Sequence, residues 1–281
     1  MPVLHLAAGF FLRALLGLVI GFSMGMTGIG GAVLTLPALT LVLRMSPSAA
    51  VGTTSLYMFL TNTYSTYRHF RLKTVDARTA GLFLCGGAPA AALVAALVNA
   101  RLHRLAGAAE AVRHMQHSLH VSMVAVMLLS ATLIATNLAA RLRQRGPTPG
   151  ALAARLARRP RLKRGETVAL GAVVGALVGA TSIGGGIIII ALLILVLGFP
   201  AARTVGTSIL CAWVLTCVTA VVYGAGGSLN PHTAIAMTCG SLVGVHFGSR
   251  LTVRIPELWL QAVVVAVIFL AAALMLTRLA F

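Results

Sequence analysis

Acidic side chains are nearly missing from this sequence. Four of its 281 residues are Asp or Glu, against 22 Lys or Arg, giving a net charge of +18. None of Asp76, Glu110, Glu166 and Glu257 is placed to hold sodium or relay a proton through the middle of an apolar segment, which argues against a carboxylate-based pump. Charge of either sign is scarce at 9% of residues, while 59% are hydrophobic and the mean hydropathy is +0.97. Soluble domains carry about 25% charged residues, so the composition excludes a water-soluble fold. The four cysteines, Cys85, Cys211, Cys217 and Cys239, have no paired spacing that suggests a metal or redox site. There is no phosphate-binding glycine loop, which excludes an ATPase, and no Ser/His/Asp constellation or metal cluster of an enzyme. No cofactor is implied. Alternation of polar and apolar residues is also missing, so a membrane β-barrel is excluded.

What remains is a series of long apolar segments separated by basic ones, the pattern of an all-α polytopic membrane protein. The lipid bilayer is then the principal partner, and nucleic acid is not one, because the basic residues sit between spans as the positive-inside rule expects. The N-terminal run carries Arg13 and lacks a clear cleavage site, so it reads as a first membrane element and not a removed signal.

The chain is duplicated. A shift of 154 positions lays "GFSMGMTGIGGAV" (21–33) on "GALVGATSIGGGI" (175–187), and "AVGTTSL" (50–56) on "TVGTSIL" (204–210), without a gap. Gly17, Gly21 and Gly25 fall on Gly171, Gly175 and Gly179, and Val75–Asp76 on Leu229–Asn230. The expected organisation is a first repeat at 1–140, a basic cytoplasmic linker at 141–166 and a second repeat at 167–281. The linker has nine Arg or Lys and one Glu, with a short surface helix expected over its Ala-rich middle. The first repeat reads as a broken element at 8–43 and spans at 49–66, 78–100 and 118–140, with extra loop at 101–117. The second reads as a broken element at 167–198 and spans at 203–223, 232–251 and 258–277. With the linker and the basic "RHFRLKTVDAR" (68–78) inside, the uncharged "GAGGSLNP" (224–231) falls outside. Each broken element becomes a hairpin of two short helices. Each repeat then crosses the membrane an odd number of times, which makes the repeats inverted.

Both breaks are glycine clusters: Thr27-Gly28-Ile29-Gly30-Gly31 and Thr181-Ser182-Ile183-Gly184-Gly185-Gly186. A helix that restarts at membrane depth offers unpaired N–H groups and the positive end of its dipole, a site for an anion without a fixed cation. Thr27, Thr181 and Ser182 add hydroxyl donors. The next span of each repeat begins with Thr53, Thr54 and Ser55, or with Thr207 and Ser208, which either face the same cavity or bond back to their own helix. Asn62 either faces the cavity or joins helices. The glycines spaced by four, Gly17, Gly21 and Gly25 and again Gly240, Gly244 and Gly248, are assigned to helix packing. His246 and Arg13 are the ionisable residues within spans, and His69 and His232 lie at loop edges.

The doubled "GMTGIGG…VGTTSL" and "GATSIGGG…VGTSIL" resemble the sulfite exporter TauE/SafE family of membrane permeases, over 15–100 and 169–254. The resemblance implies a small, sulfur-containing oxyanion or organosulfonate as partner, moved across the inner membrane, with site residues at Thr27 to Gly31, Thr53, Thr181 to Gly186 and Thr207; the inverted repeats point to alternating access as the mechanism. Ser182 for Gly28 and Gly186 for Ala32 make the half-sites unequal. An anion channel of the same fold and a non-transporting scaffold are the competing readings.

Overall fold

The computed structural model describes residues 2–27, 31–105, 107–143, 163–183, 186, 188–190, 201–251 and 257–280. Among these residues there is no strand. The helices are α1 (Pro2–Thr27), α2 (Ala32–Pro37), α3 (Pro47–Arg71), α4 (Ala77–Arg104), α5 (Ala109–Arg143), α6 (Lys163–Thr181), α7 (Ala201–Ala225), α8 (Pro231–Leu251) and α9 (Glu257–Ala280). Pro37 has no N–H to donate, and the chain beyond it loosens into a π-helical turn over Ala38–Val42, which ends with Arg44 at φ 53°.

The molecule is inverted in polarity relative to a soluble protein. Large apolar side chains such as Phe11, Val173, Val221 and Leu270 are exposed on its outer surface, whereas Thr53, Thr54, Ser55, Thr207, Ser208 and Ser241 are fully buried. Lipid accounts for the first set, and hydrogen bonding among helices accounts for the second.

Packing follows the duplication. α1 packs on α8 and α4 on α6; α3 packs on α7, and α5 on α9. Moving each member by 154 positions exchanges the first two pairs and returns the α3–α7 pair to itself. The glycines set these contacts. Gly17 lies against Met237 and Gly21 against Ser241, so α1 and α8 run in the same direction. Their counterparts Gly171 and Gly175 lie against Phe83 and Gly87 on α4. In return, Gly240 receives the carbonyl of Ala14 and Gly86 that of Val168. These helices touch backbone to backbone, which only a missing Cβ permits. The expected packing role of the small-residue series thus holds at Gly17, Gly21, Gly240 and Gly244.

α3 and α7 run in opposite directions. Gly52, near the start of α3, meets Tyr223 near the end of α7, while Gly206, near the start of α7, meets Thr74 just beyond α3. Phe59 stacks on Trp213 with ring centroids 5.6 Å apart, and those two residues are each other's counterparts in the duplication. A residue can touch its own counterpart only at the pseudo-symmetry axis, so the axis passes through this crossing.

Two expectations need correction. The segment 101–117 is not an extended loop: α4 continues to Arg104 and α5 already begins at Ala109. Its charges lie on exposed helical turns, where Arg113 and Glu110 form an i, i+3 pair at 3.9 Å. Nor is the first hairpin made of two short helices. α1 has 26 residues, about 39 Å at 1.5 Å per residue, while the returning arm runs only from Ala32 through Val42. The linker is shortened by helix at both ends, to Arg143 and from Lys163; its expected surface helix lies outside the described residues.

Candidate functional site

Both glycine clusters coincide with helix ends. α1 is described as far as Thr27, Gly31 forms a turn, and α2 begins at Ala32. α6 stops at Thr181, followed by Ser182 at φ 55°, a left-handed conformation that ends a helix. Gly28, Ile29, Gly30, Gly184 and Gly185 lie outside the described residues. Gly186 sits in a turn before the helical 188–190.

A chamber of about 200 Å³ opens beside these breaks. Its polar wall is Asn62, Ser65 and His69 on α3 together with Ser208 on α7. Its apolar wall includes Met24, Met58, Ile190 and Ile209, and Gly25 and Gly186 complete it from the two hairpins. Met58, Asn62, Ser65 and His69 are spaced 4, 3 and 4 apart, which places them on one face of α3. Among the described residues lining the chamber, none is Asp, Glu, Lys or Arg. A wider vestibule of about 540 Å³ between α3 and α8 shares Ser65, His69 and Val245 with the chamber and adds Tyr64 and His246. The ring of His69 is tethered through Nδ1 to the Thr74 hydroxyl at 2.8 Å, at the mouth between the two spaces.

The structure thus brings together Asn62, Ser208 and Gly186 of the expected site. Gly31 is buried next to Met24 and Met58, and a Cβ there would lie 3.3 Å and 3.5 Å from their sulfur atoms. The other hydroxyls serve elsewhere. Thr53 Oγ1 accepts from the Asn230 N–H at 3.0 Å, and its counterpart Thr207 Oγ1 accepts from the Asp76 N–H at 3.0 Å. Asp76 and Asn230 in turn cap α4 and α8 by accepting from the Thr79 and Thr233 amides, each at 3.0 Å. The VGT motif is therefore an interlock. Its glycine admits the carbonyl of Ser228 or Thr74 from the other repeat, and its threonine holds the cap residue two positions further on. Removing the hydroxyl strands a backbone N–H. Thr53→Val and Thr207→Val are each expected to cost about 2 kcal/mol, nearly additively because the bonds lie at opposite ends of α3. Thermal unfolding in detergent of the two single variants and the double variant checks this.

Thr181 Oγ1 donates to the Leu177 carbonyl at 2.7 Å, and Ser208 Oγ donates to the Val205 carbonyl at 2.9 Å. Ser182 and Ser55 share a buried hydrogen bond of 2.9 Å between the second hairpin and α3. Thr54 is buried, and its Oγ1 has no hydrogen-bond partner among the described residues. Ser65, Met24 and Met58 were not among the expected site residues, and His69 was assigned to a loop edge. The polar stripe on α3 marks Ser65 and His69; no sequence signal marks Met24 and Met58.

A family model described as sulfite exporter TauE/SafE matches residues 13–275. The probable membrane transporter protein YjnA of Bacillus subtilis (strain 168) is 28% identical over 257 residues, 92% of this chain and 96% of its own. The probable membrane transporter protein YunE of the same organism is 24% identical over 259 residues, 86% of this chain and 88% of its own. No solved structure matches the chain. The match spans both repeats and takes in both glycine breaks and the interlock between them, and on that ground the chain belongs to the sulfite exporter TauE/SafE family of membrane proteins.

Proposed function

We propose that this protein is a secondary carrier that moves a small anion through the chamber by alternating access between two inverted repeats. The observation that carries this reading is an asymmetry. The chamber communicates with a vestibule at one end of the molecule through the half-buried Ser65 and His69, yet under the 154-residue shift these two map onto Thr219 and Tyr223, which are fully buried. Two near-equivalent halves in unlike states are what a carrier caught on one side of its cycle presents. The antiparallel run of α3 and α7 supports inversion, since corresponding helices of inverted repeats run in opposite directions. The open end carries the C-terminus of α3 and the N-terminus of α6, both flanked by basic residues, so it faces the cytoplasm under the positive-inside rule. The chain then spans the inner membrane many times with the linker cytoplasmic.

The chamber suits an anion that must also leave. Asn62 offers an amide, Ser65 and Ser208 offer hydroxyls and His69 an imidazole, and no fixed cation holds the solute permanently. The family description and the resemblance of the motifs favour a sulfur oxyanion or organosulfonate, moved outward. From the hairpins, Gly25 and Gly186 border this path. No reaction step and no metal enters the cycle.

In proteoliposomes loaded with sulfite, sulfoacetate, thiosulfate or acetate, at least one anion is expected to show saturable flux and counterflow. Flux that rises linearly with concentration at rates far above carrier turnover would replace the carrier with a pore. Absence of both flux and thermal stabilisation across the panel would leave a scaffold.

A further inference from the structure

The duplication relates the open side of the chamber to a closed one. The counterparts of Asn62, Ser65, His69 and Ser208 are Thr216, Thr219, Tyr223 and Thr54. All four are at most 2% exposed. Met58 and Ala212, which both line the chamber, are counterparts of one another, so the chamber floor lies at the pseudo-symmetry axis and belongs to both halves. Beyond that floor the wall residues change character. His69 stands at an open mouth, but Tyr223 is fully buried, and its hydroxyl donates to the carbonyl of Gly179 at 2.9 Å. Gly179 is the counterpart of Gly25, which lines the open chamber. The Ser55–Ser182 bond ties the same region from the hairpin side. The hydroxyls of Thr216 and Thr219 are held on carbonyls one turn back, at 2.8 Å and 3.0 Å, from which they can rotate. Thr54 Oγ1 is buried without a hydrogen-bond partner among the described residues, an arrangement that costs free energy and that a polar solute or water would relieve.

We propose that Thr54, Thr216 and Thr219 form a second, alternately exposed face of the anion site, sealed in this state by the Tyr223 hydroxyl on the Gly179 carbonyl. This rests on the carrier reading above and adds the residues of the outward-facing state to it. Opening breaks the Tyr223–Gly179 and Ser55–Ser182 bonds, and closure of the other side brings His69 toward Gly25.

The test is thiol accessibility in proteoliposomes, with a membrane-impermeant maleimide added from either side and the parent chain's four cysteines as background. Ser65→Cys is expected to label from the vestibule side. Thr219→Cys is expected to label weakly, and only from the side opposite the vestibule, in an otherwise native chain. Adding Tyr223→Phe is expected to raise Thr219→Cys labelling from the opposite side at least threefold and to lower Ser65→Cys labelling in parallel. Ser182→Ala, which loosens the second tie without touching the tyrosine, is expected to act in the same direction and covers the case that Tyr223→Phe fails to fold. Labelling of Thr219→Cys from the vestibule side, or no reciprocal change with either variant, overturns the second face. Saturable anion flux with unchanged labelling would keep the carrier and remove this face alone; reciprocal labelling without anion flux would do the reverse.

Discussion

Gly86→Leu abolishes assembly of the protein, whereas Gly81→Leu five residues earlier on the same helix is tolerated. A Cβ at Gly86 would collide with the carbonyl oxygen of Val168, a backbone atom of α6, and its neighbour Ala172 N would lie 3.1 Å away. At Gly81 a Cβ would meet nothing within 4 Å. A clash against the tip of a flexible side chain is relieved by a rotamer change. A clash against backbone moves a helix, and here the helix is held by Gly171 and Gly175 from the other direction. Overpacking of this kind costs on the order of 3 kcal/mol or more, a large share of a fold's total stability. At Gly81, by contrast, a side chain improves helix propensity by several tenths of a kcal/mol. Size-exclusion profiles in mild detergent are expected to show a monodisperse peak for Gly81→Leu and aggregate for Gly86→Leu. Gly240→Leu, the duplicate of the second variant, is expected to behave like it. A monodisperse, heat-stable Gly86→Leu protein would show that α4 and α6 do not meet as closely as described.

The second large effect falls on transport and leaves the fold intact. Asn62→Leu keeps the branched shape of the side chain and removes the one side-chain amide that lines the chamber among the described residues. Hydrogen bonds to a charged group are worth roughly 1.5–3 kcal/mol. Loss of one such bond predicts a 10- to 100-fold fall in apparent affinity for the anion. Melting temperature is expected to stay within a few degrees of the parent. The check is the concentration dependence of flux in proteoliposomes alongside thermal unfolding. If Asn62 only joins helices, the variant instead loses stability and keeps its affinity.

Helix positions and the duplication were legible from sequence because they depend on local quantities. Apolar length and glycine spacing predicted spans at 203–223 and 232–251, and the helices are Ala201–Ala225 and Pro231–Leu251. The pairing of helices was not legible. The recurrence of VGT pointed to importance, yet hydroxyls in a duplicated motif suit a solute and an inter-repeat bond equally. Only the placement of Asp76 and Asn230 opposite Thr207 and Thr53 separates the two uses. Asn62 and Ser208 reach the chamber because the axis brings α3 and α7 together there, a long-range fact that no window of sequence contains. His69 was missed for a simpler reason: the polar stripe on α3 continues past the end assigned to the span at residue 66, and the helix continues with it to Arg71.

The close glycine contacts couple helices across the duplication. α1 is locked to α8 and α6 to α4, so each half of the polypeptide has surrendered its opening helix to its twin. Whatever bodies shift during a cycle, their boundary cannot fall at the linker, because that would unzip both seams at once. A half-length ancestor of such a protein would have been stable only as an embrace of two copies lying head to toe. The same logic says that severing the present chain between residues 143 and 163 should be survivable, provided both fragments are made together.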